Sequence, residues 1–205
     1  LRVGIRLSPQ TCSALQTFVD ELLRWNQRVN LTSITKPDEV IEKHLIDSIA
    51  VLPEIGAATS LLDVGAGAGF PGIPLAIALP LLRVQLVDSV GKKVAFMKAA
   101  IAKLGLATRV RAMHIRVAGR PADESIERAE VVVSRALMDV SAWLELAKPY
   151  VAESGRIVAM LGQSPTKSNL ESVAHLAGCE LASLRSLALP FSNDPRSIAV
   201  FHVKH

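Results

Sequence analysis

Apolar side chains first recur with a helical period. Behind Ser8-Pro9, a capping residue and a proline suited to a first turn, come Leu15, Phe18, Leu22, Trp25 and Val29, which share one face of a helix. A second helix is predicted to open at Pro37, with Ile41, Leu45, Ile49 and Leu52 as its inner stripe and Pro53 as its stop. From residue 60 the pattern changes to short apolar runs. Residues 60–64, 84–87, 109–114, 130–134 and 156–161 read as strands, and helical segments near 71–79, 90–104, 140–148 and 165–176 separate most of the runs. Two last strands are expected near 180–187 and 197–203. In the helix after the second strand, Val90, Val94, Met97, Ile101 and Leu104 form the apolar stripe, Lys92 and Lys103 lie nearly opposite it, and Gly105 is a suitable stop. The alternation predicts an α/β domain, doubly wound around a mostly parallel, seven-stranded, Rossmann-like sheet. A helical cap over residues 1–55 precedes the core at 56–205, and the whole is expected to be one structural unit.

Composition agrees with that architecture. A chain of 205 residues that is half hydrophobic and one-fifth charged can bury a full core. Cys12 and Cys179 lie far apart, without metal-ligand or CxxC spacing, which argues against a disulfide framework and for a reducing compartment. The uncharged run from Val64 to Leu82 holds four glycines and three prolines, so it reads as a glycine loop plus a buried helix rather than a membrane span. No signal peptide is visible. A soluble, cytoplasmic monomer that does not associate with membranes is expected.

Charge alters the picture locally. Between Arg83 and Arg120 stand nine lysines and arginines against one acid, Asp88, so this stretch carries +8 within a chain whose net charge is +4. Such polarity suits a polyanionic partner, most simply a nucleic acid, with Lys92, Lys93, Arg109 and Arg111 as candidate contacts. A solvated helix face beside a charge-guarded edge strand is the competing reading.

The chemistry is concentrated in Leu61-Leu62-Asp63-Val64-Gly65-Ala66-Gly67-Ala68-Gly69-Phe70-Pro71-Gly72. A buried strand ends in an acid, glycines allow a tight turn and a close approach to a ligand, and prolines open a helix. Gly67 to Gly72 matches GxGxxG, and Asp88 lies where a nicotinamide fold places its ribose-binding acid. Counted from Gly65, the first glycine after the strand, the pattern is instead GxGxG behind Asp63. That suits S-adenosylmethionine, which has no pyrophosphate needing a helix N-terminus. Spacing favours the methyl donor and leaves the dinucleotide open.

Asp88 ends the second strand, where a carboxylate accepts both ribose hydroxyls; capping of the following helix is its rival role. Arg116 to Ala118 follow the third strand, where backbone groups could meet an adenine edge. Arg135 follows Val131–Val133 and should emerge at the ligand-bearing edge, to grip a carboxylate or phosphate or to form a structural salt bridge. The segment Ser134-Arg135-Ala136-Leu137 lacks the Asn/Asp-Pro-Pro-aromatic pattern of methyltransferases acting on exocyclic amino groups, and neither cysteine sits in a Pro-Cys context. Direct attack by a lone pair remains, and a guanine N7 fits because it carries no proton to remove; small-molecule acceptors also fit.

Trp25-Asn26, Asn30-Leu31-Thr32, His44, Asp47-Ser48, the run Asp63 to Pro74, Val87-Asp88-Ser89, Lys92-Lys93 and Val133-Ser134-Arg135-Ala136 occur in that order. Together they closely resemble the bacterial small-subunit ribosomal RNA methyltransferase G family, also called glucose-inhibited division protein B. The resemblance implies a class I S-adenosylmethionine-dependent fold and methylation of a guanine N7 in 16S ribosomal RNA, in the 530 loop of the decoding region. By position it implies a cofactor site with Gly65, Phe70, Val117, Ala118 and Arg135, to which the glycine segment and strand ends add Asp63, Gly67, Gly69 and Asp88. It also sets His44 and Asp47 beside the target base, where a plain surface His–Asp hydrogen bond is the bland alternative. Two departures stand out. Ala118-Gly119 replace a family glutamate after Val117, and Leu161-Gly162 replace a Lys-Gly. The loop 116–128 is also longer than usual. A non-catalytic RNA-binding relative and a nicotinamide-linked oxidoreductase are the remaining alternatives.

Overall fold

The computed structural model describes residues 5–135, 138–162 and 165–204. Seven strands, β1 (Ser60–Val64), β2 (Arg83–Asp88), β3 (Val110–His114), β4 (Ala129–Arg135), β5 (Val151–Leu161), β6 (Cys179–Ala188) and β7 (Pro195–Val203), form one sheet in the order β3-β2-β1-β4-β5-β7-β6. The first five strands are mutually parallel, while β7 runs antiparallel to both β5 and β6. Chain order reverses between β1 and β4. A crevice opens at such a switch point, outside the carboxyl ends of the strands. The register Asp63↔Val133 brings the loop after β1 and Arg135 at the end of β4 to the same edge.

Helices cover both faces. On one lie α1 (Pro9–Asn26), α5 (Gly72–Ala78) and α6 (Gly91–Lys103); on the other lie α7 (Val140–Ala147) and α8 (Lys167–Leu176). β1 alternates accordingly: Leu61 joins the first cluster, whereas Leu62 and Val64 join the second. Ser8 caps α1 through its hydroxyl, accepting from Thr11 N–H at 3.1 Å, and Pro9 fills the first turn. Phe18 on α1 packs against Phe70 and Phe96 with ring centroids 5.1 and 6.1 Å apart, which seats the cap on the sheet domain. Full burial of such a ring is worth about 1.5–3 kcal/mol.

One polar contact changes a predicted face. Glu21 is buried on α1 and accepts from Trp25 Nε1 and from Lys103 Nζ, both at 2.8 Å. Lys103 therefore ties α6 to the cap instead of pointing away from the packed side.

The second predicted helix is the main departure. It consists of α2 (Pro37–Val40), a π-helical segment Ile41–Ile46, and α3 (Asp47–Ile49), after which the short α4 (Leu52–Ile55) begins. Pro53 lies inside the first turn of α4 rather than ending a helix. The wider π turn shifts the phase of the inner stripe. Val40, Ile46 and Ile49 are buried, Ile41, Leu45 and Leu52 only partly so, and Glu42, Asp47 and Ser48 turn inward with them. No helix among the described residues is long and apolar enough to cross a membrane.

Candidate functional site

β1 ends at Val64, so Gly65 is the first residue of the loop and GxGxG is the pattern the backbone uses. Gly65 and Ala66 donate their N–H groups to Val87 O at 2.9 and 3.0 Å, and Gly67 N–H donates to Asp88 Oδ2 at 2.8 Å. The loop thus leans on the end of β2. Gly65 and Gly67 hold φ of 70° and 58°, a left-handed conformation that side chains with a Cβ rarely adopt. A Cβ on Gly67 would meet nothing nearer than Gly65 O at 4.0 Å, so the space above it is free of protein.

Gly65 lines a cleft of about 580 Å³ together with Asp88, Val117 and Arg135 among the expected residues, with Lys93 and Arg116 at its side, and Asp88 holds Gly67 next to it. Its size suits a nucleoside joined to an amino acid. Asp88 is tied to the loops on both sides of it. Oδ1 accepts from Val90 N–H at 2.8 Å, which sets the turn into α6, and Oδ2 holds Gly67; Asp88 also lines the cleft, and each carboxylate oxygen retains capacity for a further hydrogen bond. These residues fit S-adenosylmethionine: a backbone cradle without side chains beside a carboxylate. Asp88→Ala should raise the dissociation constant for S-adenosylhomocysteine about tenfold to a hundredfold, by loss of a charged acceptor, and calorimetric titration measures it.

Four residues expected to line this cleft do other work. Asp63 is fully buried; its Oδ2 accepts from Gly72 N–H at 2.8 Å and fixes the start of α5. Burial pushes its carboxyl up to about 7. Gly72 is required by contact, because a Cβ there would lie 2.2 Å from Leu86 Cδ2 and 2.9 Å from Asp63 Oδ2. Gly69, at φ 87°, carries the loop into α5, and a Cβ on it would lie 2.5 Å from Ile73 Cδ1. Phe70 is buried behind the loop, stacked on His44 with centroids 4.9 Å apart. Ala118 donates its N–H to Glu124 Oε1 at 2.8 Å, so the longer loop supplies a carboxylate to the very backbone group expected to face adenine. Tyr150 locks the same loop by accepting from Gly119 and Arg120 N–H at 2.8 and 3.1 Å and donating to Glu124.

A second cavity, about 330 Å³, lies beyond Arg135 and is lined by Lys43, His44, Asp47, Leu161 and Arg196 as well as Arg135 itself. Arg135 is common to both cavities. It donates to Lys43 O at 3.0 Å, approaches Asp47 Oδ2 at 3.6 Å, and lies over the Phe70 ring at 5.6 Å. Arg196 approaches the other oxygen of Asp47 at 3.4 Å. The carboxylate is therefore bracketed by two guanidinium groups; burial nevertheless raises its pKa, with both arginines pulling the other way. His44 is no surface partner of Asp47. Its Nε2 pairs with Thr32 Oγ1 at 3.0 Å, and Nδ1 is buried without a partner among the described residues. Burial and then the charge of Arg135 depress the imidazole to about 4, so it is neutral at pH 7. Thr32 is delivered by Asn26, whose Oδ1 accepts from Leu31 and Thr32 N–H and whose Nδ2 donates to Thr32 O.

The basic stretch divides. Arg109 donates to the carbonyl oxygens of Ala76, Leu79 and Leu82, closing the end of α5, and Arg111 pairs with Gln85 and Glu127. Both lie at the start of β3, across the sheet from the crevice, so they are structural residues and not part of an RNA face beside it. Lys92 and Lys93, in the first turn of α6, stay on the crevice side. Ser134 is buried at the end of β4, whereas Ala136 and Leu137 lie outside the described residues.

No local motif marks Arg196, because its contact with Asp47 spans most of the chain. Glu42 would have needed the π-helical phase to be recognised as inward-facing.

Comparison with known proteins follows the same geometry. The family model described as rRNA small subunit methyltransferase G matches residues 11–199. Ribosomal RNA small subunit methyltransferase G of Myxococcus xanthus is 53% identical over 199 residues, spanning 97% of this chain and 91% of the relative. Its counterpart in an Anaeromyxobacter species is 45% identical over 197 residues, spanning 96% and 91%. Among solved structures, a SAM-dependent methyltransferase from Thiobacillus denitrificans, in complex with S-adenosyl-L-homocysteine, matches with a TM-score of 0.60 at 13% identity. That match covers 84% of this chain and 100% of the other, and it shows a shared fold.

Proposed function

Because this chain belongs to the rRNA small subunit methyltransferase G family, we propose that it methylates N7 of a guanine in 16S ribosomal RNA, in the 530 loop of the decoding region. It is an S-adenosylmethionine-dependent methyltransferase. The observation that carries the site assignment is the meeting of two cavities at Arg135, one with the glycine loop and Asp88, the other with Asp47 between two arginines. The first receives the methyl donor and the second the acceptor base.

When bound, S-adenosylmethionine supplies an electrophilic methyl group on a sulfonium centre. The side chains need not remove a proton from a guanine N7, so their work is alignment and electrostatics. Arg135 is held by Lys43 O and Asp47, which fixes the wall between the two cavities. Asp47 is the anion of the acceptor cavity and offsets the positive charge that develops on the base. His44, neutral at pH 7, adds no opposing charge there. Leu161 lines this cavity where the family carries a lysine, and Arg196 on the neighbouring strand restores a cation to it. The glutamate missing after Val117 is matched by Glu124, which reaches the Ala118 N–H from the longer loop.

The test incubates the protein with labelled methyl donor and small ribosomal subunits or 16S RNA from cells lacking the native enzyme, followed by mass spectrometry of the nucleosides. Labelled 7-methylguanosine is the expected product. Label in another nucleoside, or in none, would overturn the assignment.

A further inference from the structure

Phe191 departs from the pattern of every other aromatic residue in the chain. The seven others are buried or half-buried, whereas Phe191 is 76% exposed, on the turn between β6 and β7. Leu81 and Leu176 are more exposed still, but they lie at the end of α5 and the end of α8, remote from both cavities.

The turn that carries Phe191 is fixed rather than loose. Glu42, 4% exposed, accepts from both Phe191 N–H and Ser192 N–H through Oε1 at 2.7 Å. Leu189 N–H donates to Asp194 O, and Asn193 N–H donates to Leu189 O. A buried carboxylate is costly unless hydrogen-bonded, and here its partners are the backbone of the turn. The anchoring residue belongs to the π-helical segment, where Lys43 and His44 follow it directly into the acceptor cavity. The sheet places the turn at the same edge: Leu161, last in β5, pairs with Ser197, so Pro195 and the turn before it extend past the carboxyl ends of the parallel strands. Lys43 and Arg196, both lining the acceptor cavity, flank this turn.

We propose that Phe191 is a stacking platform for an unpaired RNA base adjacent to the methylated guanine. The inference rests on the RNA-methylating function above. A cavity of about 330 Å³ cannot admit a base that is still stacked in its strand, so the target must be extruded. Extrusion strips its neighbour of a stacking partner. An exposed ring on a turn whose backbone Glu42 holds replaces that partner, its π-face meeting the base while Lys43 and Arg196 flank the turn. Lys43, Arg135 and Arg196 outnumber Asp47 in the lining of the acceptor cavity, a charge balance that suits a polyanion better than a protein surface.

Phe191→Ala, tested on small subunits from cells lacking the native enzyme, should raise KM for the subunit about tenfold, the loss expected for one base–aromatic stack, while kcat and S-adenosylhomocysteine affinity stay within twofold. Phe191→Trp should keep wild-type kinetics and add a fluorescence that single-stranded RNA quenches. Wild-type methyl transfer with an unchanged KM for Phe191→Ala would overturn this inference alone, whereas absence of transfer by the wild type would overturn the function with it. Weaker subunit binding without quenching by RNA would assign Phe191 to a ribosomal protein and also overturn the proposal.

Discussion

Gly67→Val is expected to weaken S-adenosylhomocysteine binding at least a hundredfold, below detection in an ordinary calorimetric titration, while the protein stays folded. The structure separates the two ways a valine could act. Its Cβ would meet no protein atom closer than 4.0 Å, so nothing in the native chain clashes with the first carbon of the new side chain. The backbone at φ 58° is unfavourable for a β-branched residue and costs of order 1–3 kcal/mol, within what a domain of this size tolerates. The larger effect is a branched side chain placed in the protein-free space beside the cleft, together with displacement of the N–H that Asp88 holds. Gly67→Asn isolates the steric part, because asparagine enters the left-handed region far more readily. Both variants should lose the ligand. Wild-type affinity in a folded Gly67→Asn variant would mean that the ligand does not lie over this loop.

The same loop shows how much of the molecule can be read from the residues. The strand, the three glycines and the helix that follows are specified locally, by an apolar run, by positions that tolerate positive φ, and by prolines at a helix start. That is why the β–α alternation, the sheet class and the floor of the cleft were all legible. What was not legible depends on contacts between distant segments. Asp63 looks like a ligand residue from its place at the end of β1, yet the close approach of Gly72 buries it under α5. Arg109 looks like a surface cation until the end of α5 is placed against it. Resemblance to the family points to His44 and Asp47, and helical spacing sets them beside an apolar stripe. The π turn rotates Asp47 between two half-buried arginines and sets His44 on Phe70, a change of helical period that no hydrophobic pattern encodes.

Arg135→Met should lower the single-turnover rate of methyl transfer by a hundredfold or more, and it should also destabilise the protein, for separable reasons. Arg135 stands between the two cavities and fixes their shared wall, and a misplacement of donor and acceptor by about 1 Å costs about a hundredfold in rate. Its removal leaves Asp47 buried with Arg196 alone. Breaking such a pair on one side costs about 3–5 kcal/mol, because the remaining carboxylate is left short of compensation. A slow enzyme could then be merely a partly unfolded one. The double variant Asp47→Asn/Arg135→Met resolves this. Neutralising the carboxylate removes the uncompensated charge, so the denaturation midpoint should return most of the way to wild type, a coupling of the kind a double-mutant cycle detects between groups in contact. The rate should not return, because both the side chain that fixes the wall between the cavities and the anion facing the charged base are gone. Arg135→Lys should be intermediate, since an ammonium on a flexible stem cannot hold Lys43 O and Asp47 together as the planar guanidinium beside Phe70 does. If Arg135→Met instead keeps a single-turnover rate within fivefold of wild type at saturating donor and RNA, the junction of the two cavities is not where the methyl group passes.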